Sequence, residues 1–267
     1  MVHIDISGST SVCFIIGKPI AQVKTPAVFN AWAAHTGADA VLVPLALAET
    51  GVKPFFQAMG DWENCPGCIV TYPYKQAAYA CLHDASETAA FLGACNVVRR
   101  DPDGRLVGAI TDGLGYAKAL VARGVPLEGS DFLLIGAGGA GAAIGHEVAR
   151  RGVARLAVLE LDETRRDTLL RRLEEAFPTV RCFCEPPKDF RFDVACNATP
   201  LGMHGEPRLP FPVERLGPAT VVTDVVPDPA VTPFLAAARD RGLRIQTGPE
   251  MVEGQFAFVI GHLFPAP

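Results

Sequence analysis

Apolar positions in the first hundred residues come in short runs separated by polar or Gly/Pro-rich breaks, the rhythm of strands alternating with helices. Cys13-Phe14-Ile15-Ile16 predicts a strand closed by Gly17-Lys18-Pro19. Pro26 to His35 predicts a helix, with proline in its first turn and Gly37 just past its end. Ala40-Val41-Leu42-Val43-Pro44 predicts a second strand, and Ile69 to Tyr72 another, stopped by Pro73. Strand–helix–strand alternation predicts parallel pairing in an α/β layer.

A second unit begins near Thr111. Its predicted strands are Asp131 to Ile135, Leu156 to Glu160, Asp193 to Asn197 and Thr220 to Val225. Ala140 to Arg151 predicts a helix ended by Gly152, and Glu163 to Phe177 a charged helix stopped by Pro178. This is a doubly wound nucleotide-binding pattern. The last segment, Glu250 to Phe264, predicts a helix of apolar and small residues.

Composition narrows the function classes. With 49% hydrophobic residues in 267, the chain can build a full core. The net charge is 24 − 29 = −5, and no run of Lys or Arg exceeds two residues. Neither a nucleic-acid surface nor a membrane surface is expected. No apolar window approaches the length of a membrane span. The start, Met1 to Ser7, lacks the basic flank and apolar core of an export signal, so a cytoplasmic location with eight reduced cysteines is expected. Cys65-Pro66-Gly67-Cys68 has the spacing of a metal knuckle, but Cys182 and Cys184 are poor partners for it, and no metal is expected. Cys95 and Cys196 read as small packing residues.

The chemistry concentrates in three places. Phe132 to Ile135 runs into Gly136-Ala137-Gly138-Gly139-Ala140-Gly141, a glycine fingerprint directly after a strand and opening a helix. The first glycine permits a tight turn, the second lets the backbone approach a pyrophosphate, and the third allows close helix–strand packing. Nineteen residues past Gly141, the next strand ends in Glu160, whose carboxylate suits ribose hydroxyls and repels a 2′-phosphate. NAD rather than NADP is therefore expected, although Arg165 and Arg166 stand close by. The other two places are Lys75, just past a proline-stopped strand, and Asp112, in an apolar stretch opening into a Gly-rich turn. A lysine beside an aspartate can move the proton of a secondary alcohol, because burial lowers its pKa while the carboxylate orients it.

Six segments occur in order: VTYPYK (Val70 to Lys75), GACN (Gly93 to Asn96), TDGLG (Thr111 to Gly115), GAGGAG (Gly136 to Gly141), NATPLGM (Asn197 to Met203) and GPEMVEGQ (Gly248 to Gln255). Together they resemble the shikimate dehydrogenase family from about Ile15 to Leu263. The resemblance implies an N-terminal α/β substrate domain (1–110 with 247–267), a Rossmann NAD(P)-binding domain (111–246) and a cleft between them. It implies that the last helix returns to the first domain, and that the chain is a monomer or homodimer acting on a small-molecule substrate. Lys75 is then the acid/base and Asp112 its partner. Thr25, Thr71, Asn96 and Gln255 contact the substrate, and Asn197, Thr199, Val225 and Gly248 lie beside the cofactor. Members using NADP show an Asn-Arg-Thr-like run where this chain has Glu160-Leu161-Asp162, so it looks like the NAD-using branch that includes quinate/shikimate dehydrogenases.

The chain departs from the family where a substrate carboxylate would bind. The family carries two hydroxyls after the first strand; Val23 replaces the first and Thr25 keeps the second. Ile69-Val70-Thr71 stands for an Asn-Val-Thr run, and Pro227 for a tyrosine. Each hydrogen bond lost to a charged group is worth roughly 1.5–3 kcal/mol. The expected function is hydride transfer between NAD and a shikimate- or quinate-like hydroxy acid. The alternatives are a paralogue acting on another polyol or an amino-substituted ring, and a non-catalytic nucleotide sensor, which an intact Lys75 and Asp112 disfavour.

Overall fold

The computed structural model describes residues 5–265, so Met1 to Ile4, part of the segment read for an export signal, lie outside it. The chain divides into two compact units, one of residues 1–111 with 259–267, the other of residues 112–258.

The first unit contains β1 (Ser11–Gly17), α1 (Thr25–Thr36), β2 (Ala40–Ala46), α2 (Val52–Met59), β3 (Gly67–Val70), α3 (Lys75–Tyr79), β4 (Asp84–Ala85), α4 (Glu87–Leu92), β5 (Val97–Arg100) and β6 (Leu106–Ala109). Its sheet has the order β2-β1-β3-β5-β6-β4. β1 pairs parallel with β2 and β3, as the alternation predicts, but β5 pairs antiparallel with both β3 and β6. The reason is a tight turn at Asp101-Pro102-Asp103-Gly104. Gly104 takes φ of 82°, and Asp101 N donates to Arg105 O at 2.8 Å, so β6 folds straight back on β5.

The second unit contains α5 (Asp112–Ala122), β7 (Asp131–Ile135), α6 (Gly139–Arg150), β8 (Arg155–Leu159), α7 (Glu163–Ala176), β9 (Arg181–Phe183), β10 (Val194–Asn197), β11 (Val221–Asp224), α8 (Pro233–Asp240) and β12 (Arg244–Gln246). α9 (Gly248–Leu263) starts here, and its residues from Val259 count with the first unit. The residues of 247–258, expected with the first domain, group with the second. All six strands run parallel in the order β12-β11-β10-β7-β8-β9, the doubly wound pattern. Leu133, Ala195 and Val222 bury one face under Phe190, Phe211, Phe234 and Leu235. On the other face, Phe132 meets Tyr116 of α5 edge-on at 6.0 Å, and Leu134 packs under Gly145 of α6.

The Gly-rich turn expected at Asp112 is instead the first turn of α5. Its glycines serve helix packing: a Cβ on Gly113 would strike the Ala143 carbonyl of α6, and one on Gly115 would strike Gln255 of α9. Glycine removes the side chain that would keep these helices apart, at a cost in helix propensity of roughly 1 kcal/mol each.

The base of this sheet is clamped by Asp131, 1% exposed, whose carboxylate accepts from Arg155 and, at 2.9 Å, from Arg191 N. Burial alone would raise its pKa, but these donors hold it below the usual range. Asp131→Ala would remove the carboxylate that Arg155 and Arg191 N share, leaving Arg155 on Asp189 alone. It is expected to cost roughly 1–3 kcal/mol of unfolding free energy in urea titration, without loss of catalytic competence in the folded fraction.

Candidate active site

Gly136, with φ of 99°, turns the chain as it leaves β7. A Cβ there would come within 2.9 Å of the Ala198 carbonyl and of Thr199 Cγ2. A Cβ on Gly141 would fall on the Gly136 carbonyl oxygen, so the third glycine closes helix against strand. Gly138 and Gly139 face open space, with no atom within 4 Å of a built Cβ. The first amides of α6 lack intrahelical partners. Exposed amides, a helix N-terminus and no side chain in the way form a cradle fitted to a pyrophosphate.

Glu160 follows β8. Its Oε2 accepts from Ala137 N at 2.8 Å and its Oε1 from Asp162 N at 3.1 Å, so it ties the β8 turn to the fingerprint. Burial pushes its carboxyl up, but the amides of Ala137, Asp162 and Leu161 and the Arg165 guanidinium outweigh burial and hold it below the usual range. Asp162 caps α7, accepting from Arg165 N at 3.0 Å. Arg165 lies 3.6 Å from Glu160 and 3.4 Å from Asp162, and Arg166 pairs with Asp167 at 2.9 Å. Both arginines noted near this turn are thus engaged by carboxylates. Leu161 between the acids is fully exposed.

Asn197 is fully buried. It donates to Leu201 O at 3.1 Å and Asp224 Oδ2 at 2.9 Å, and accepts from Thr199 N at 3.0 Å and Thr199 Oγ1 at 2.7 Å. A side chain bonded in this way shapes the loop after β10. Thr199 and Val225 are half-buried, and a Cβ on Gly248 would fall on the Val226 carbonyl, with Val225 C at 2.9 Å.

In the first unit, Lys75 is the first residue of α3 and half-buried. Tyr74, buried before it, is anchored by its hydroxyl, which donates to Leu47 O at 2.7 Å. Lys75 O accepts from Cys95 N at 3.0 Å, which ties the start of α3 to the segment entering β5. The strand expected through Tyr72 ends at Val70, although Thr71 N still donates to Ile16 O at 2.9 Å. Thr71, Thr25 and Val23 are half-buried, and Thr71 Cγ2 occupies the space a Cβ on Gly17 would need.

Asn96 is 5% exposed, and its amide brackets Thr111: Oδ1 accepts from Thr111 N at 2.9 Å and Nδ2 donates to Thr111 Oγ1 at 3.0 Å. It therefore fixes the backbone one residue before Asp112. Thr111 was not among the expected site residues; its place directly before Asp112 was the available signal. Asp112 is 6% exposed, and its Oδ1 accepts from Gln255 Nε2 at 2.9 Å. Gln255 is half-buried, so it is a holder of Asp112 and not a solvated helix polar group.

Cys95 and Cys196 are buried, with thiols pushed up to about 12 by burial. Among the described residues, no group of three or more His, Cys, Asp or Glu is placed to hold a metal ion, and no helix is long and apolar enough to cross a membrane.

Residues 15–98 match the family description "Shikimate dehydrogenase substrate binding domain". A Sphingopyxis alaskensis protein named shikimate dehydrogenase (NADP(+)) is 32% identical over 273 residues, taking in 95% of this chain and 90% of its own length. The crystal structure of shikimate 5-dehydrogenase from Listeria monocytogenes, in complex with shikimate and NAD, is similar with a TM-score of 0.89 at 27% identity, covering 97% of this chain and 93% of that one. Ligand-free 5-ketofructose reductase of Gluconobacter sp. strain CHM43 has a TM-score of 0.87 at 26% identity, covering 96% and 94%. Ordered motifs, a doubly wound second unit and a relative aligned over nine-tenths of both chains agree: the chain belongs to the shikimate dehydrogenase family.

Proposed function

We propose that this chain is a dehydrogenase that oxidises a secondary alcohol of a shikimate- or quinate-like ring acid, reversibly, with NAD preferred to NADP. The observation that carries the cofactor preference is Glu160, fastened to the Ala137 amide while Arg165 is engaged by Glu160 and Asp162. A 2′-phosphate would meet two carboxylates, whereas ribose hydroxyls would find acceptors. Gly136 to Gly141 would hold the pyrophosphate. When bound, the nicotinamide supplies the acceptor for the hydride leaving the carbinol carbon. Lys75 takes the hydroxyl proton as the carbonyl forms and returns it in the reverse direction. Asp112, held by Gln255, orients the lysine and the ring hydroxyl.

A second reading, reduction or oxidation of an uncharged polyol or keto-sugar, is favoured by Val23, which offers no hydroxyl to a carboxylate, and by the likeness to a 5-ketofructose reductase. Following NADH formation over a panel of shikimate, quinate and uncharged ring and open-chain polyols tests both readings. With a carboxylate substrate, Val23→Ser should lower KM about tenfold, the equivalent of roughly 1.4 kcal/mol. With an uncharged substrate, the same change should slow turnover. No change with any substrate would show that Val23 does not face the ring.

A further inference from the structure

We infer that Asp224 is a positioning residue for the nicotinamide half of the cofactor, an inference that rests on the reading of the second unit as a dinucleotide site. The side of the sheet follows from strand order. Glu160 at the end of β8 sets the adenosine side, and β10 and β11 lie on the opposite side of β7. A dinucleotide pinned by its pyrophosphate at the β7–α6 turn therefore extends its other half over the ends of β10 and β11.

Asp224 ends β11 and is 1% exposed. Its Oδ2 accepts from Asn197 Nδ2 at 2.9 Å and from Thr232 Oγ1 at 2.7 Å, and its Oδ1 from Val226 N at 2.9 Å. Through Asn197 it sets the loop at Thr199 and Leu201, and that loop abuts the fingerprint, because a Cβ on Gly136 would strike Ala198 and Thr199. Through Val226 it sets the second loop, which abuts Gly248 at the start of α9. Through Thr232, the cap of α8, it fixes the helix behind both. One buried carboxylate thus determines the height of the two loops on which the nicotinamide half would rest, without touching that half itself. Burial raises the carboxyl above the usual range against the pull of Asn197, Val226, Thr232 and Val225.

Asp224→Asn keeps the volume but replaces one acceptor with an NH2 group, which must face either the Val226 amide or the Asn197 and Thr232 donors. In the folded variant, NAD is expected to bind about tenfold more weakly, with a lowered kcat, while ADP-ribose binds as it does to the parent. Equal weakening of NAD and ADP-ribose, or no change in either, would overturn the inference. If Asp224→Asn does not fold, Thr232→Val, which removes one of the three hydrogen bonds to the Asp224 carboxylate, is read by the same pair of ligands. A parent protein that binds neither NAD nor NADP would instead overturn the cofactor reading itself, and this inference with it.

Discussion

Replacing Lys75 with alanine is expected to lower kcat by roughly 10²–10⁴-fold, the range for removing a positioned general acid/base, while NAD binding is little changed. The two effects separate because Lys75 opens α3 in the first unit, whereas the glycine cradle lies in the second. Its side chain is half-buried, and α3 is anchored independently by the Tyr74 hydroxyl on Leu47 O and by Cys95 N on the Lys75 carbonyl. Alanine keeps that carbonyl and the helix, so the loss belongs to the ammonium alone. Single-turnover measurement of NADH formation, beside a titration of NAD binding, checks both parts. A variant turning over within about threefold of its parent would show that Lys75 is not the proton carrier.

The glycine cradle gives the second large effect, and its three glycines are expected to fail differently. Gly138 has φ of −69° and open space where a Cβ would stand, so Gly138→Ala should fold and melt like the parent. The added methyl would occupy the space through which the pyrophosphate reaches the α6 amides. NAD binding is expected to weaken by roughly 1–3 kcal/mol, about five- to 150-fold, as for other overpacked sites. Gly141→Ala would press on the Gly136 carbonyl and should lower both stability and NAD affinity. Gly136→Ala adds the strain of a positive φ. Thermal melting and NAD titration of the three variants together test the assignment. Full NAD affinity in Gly138→Ala would show that the cofactor does not lie on this turn.

Much of the second unit was legible in the sequence because β7 and β8 are short apolar runs, each followed by a helix with its own stop signal. Gly152 and Pro178 mark the ends of α6 and α7 within two residues. The first unit was less legible. Its β5–β6 hairpin hides in Asp101-Pro102-Asp103-Gly104, turn chemistry that reverses the chain within a region otherwise alternating strand and helix. α5 was missed because Gly113 and Gly115 carry the composition of a loop. They are small for the sake of α6 and α9, a tertiary reason that no local propensity contains.

The site divides along the same line. Lys75, the fingerprint and Glu160 announce themselves by type and spacing. Their supports do not: Thr111 with Asn96, Gln255 with Asp112, and Asp224 with Asn197 are contacts between residues 15, 143 and 27 positions apart. Asn197, a motif position, is a buried bracket between Asp224 and the loop after β10. Sequence motifs mark the segments that form a site, but which member faces the ligand is decided by packing.

The most direct measurement is kcat/KM for purified protein on shikimate and on quinate, each with NAD and with NADP. A Glu160 carboxylate fastened to the Ala137 amide, beside an Arg165 engaged by two acids, leads to a value at least about tenfold higher with NAD on whichever acid is accepted. Equal values, or a preference for NADP, would mean that Arg165 leaves its carboxylates for the 2′-phosphate, and would contradict the account.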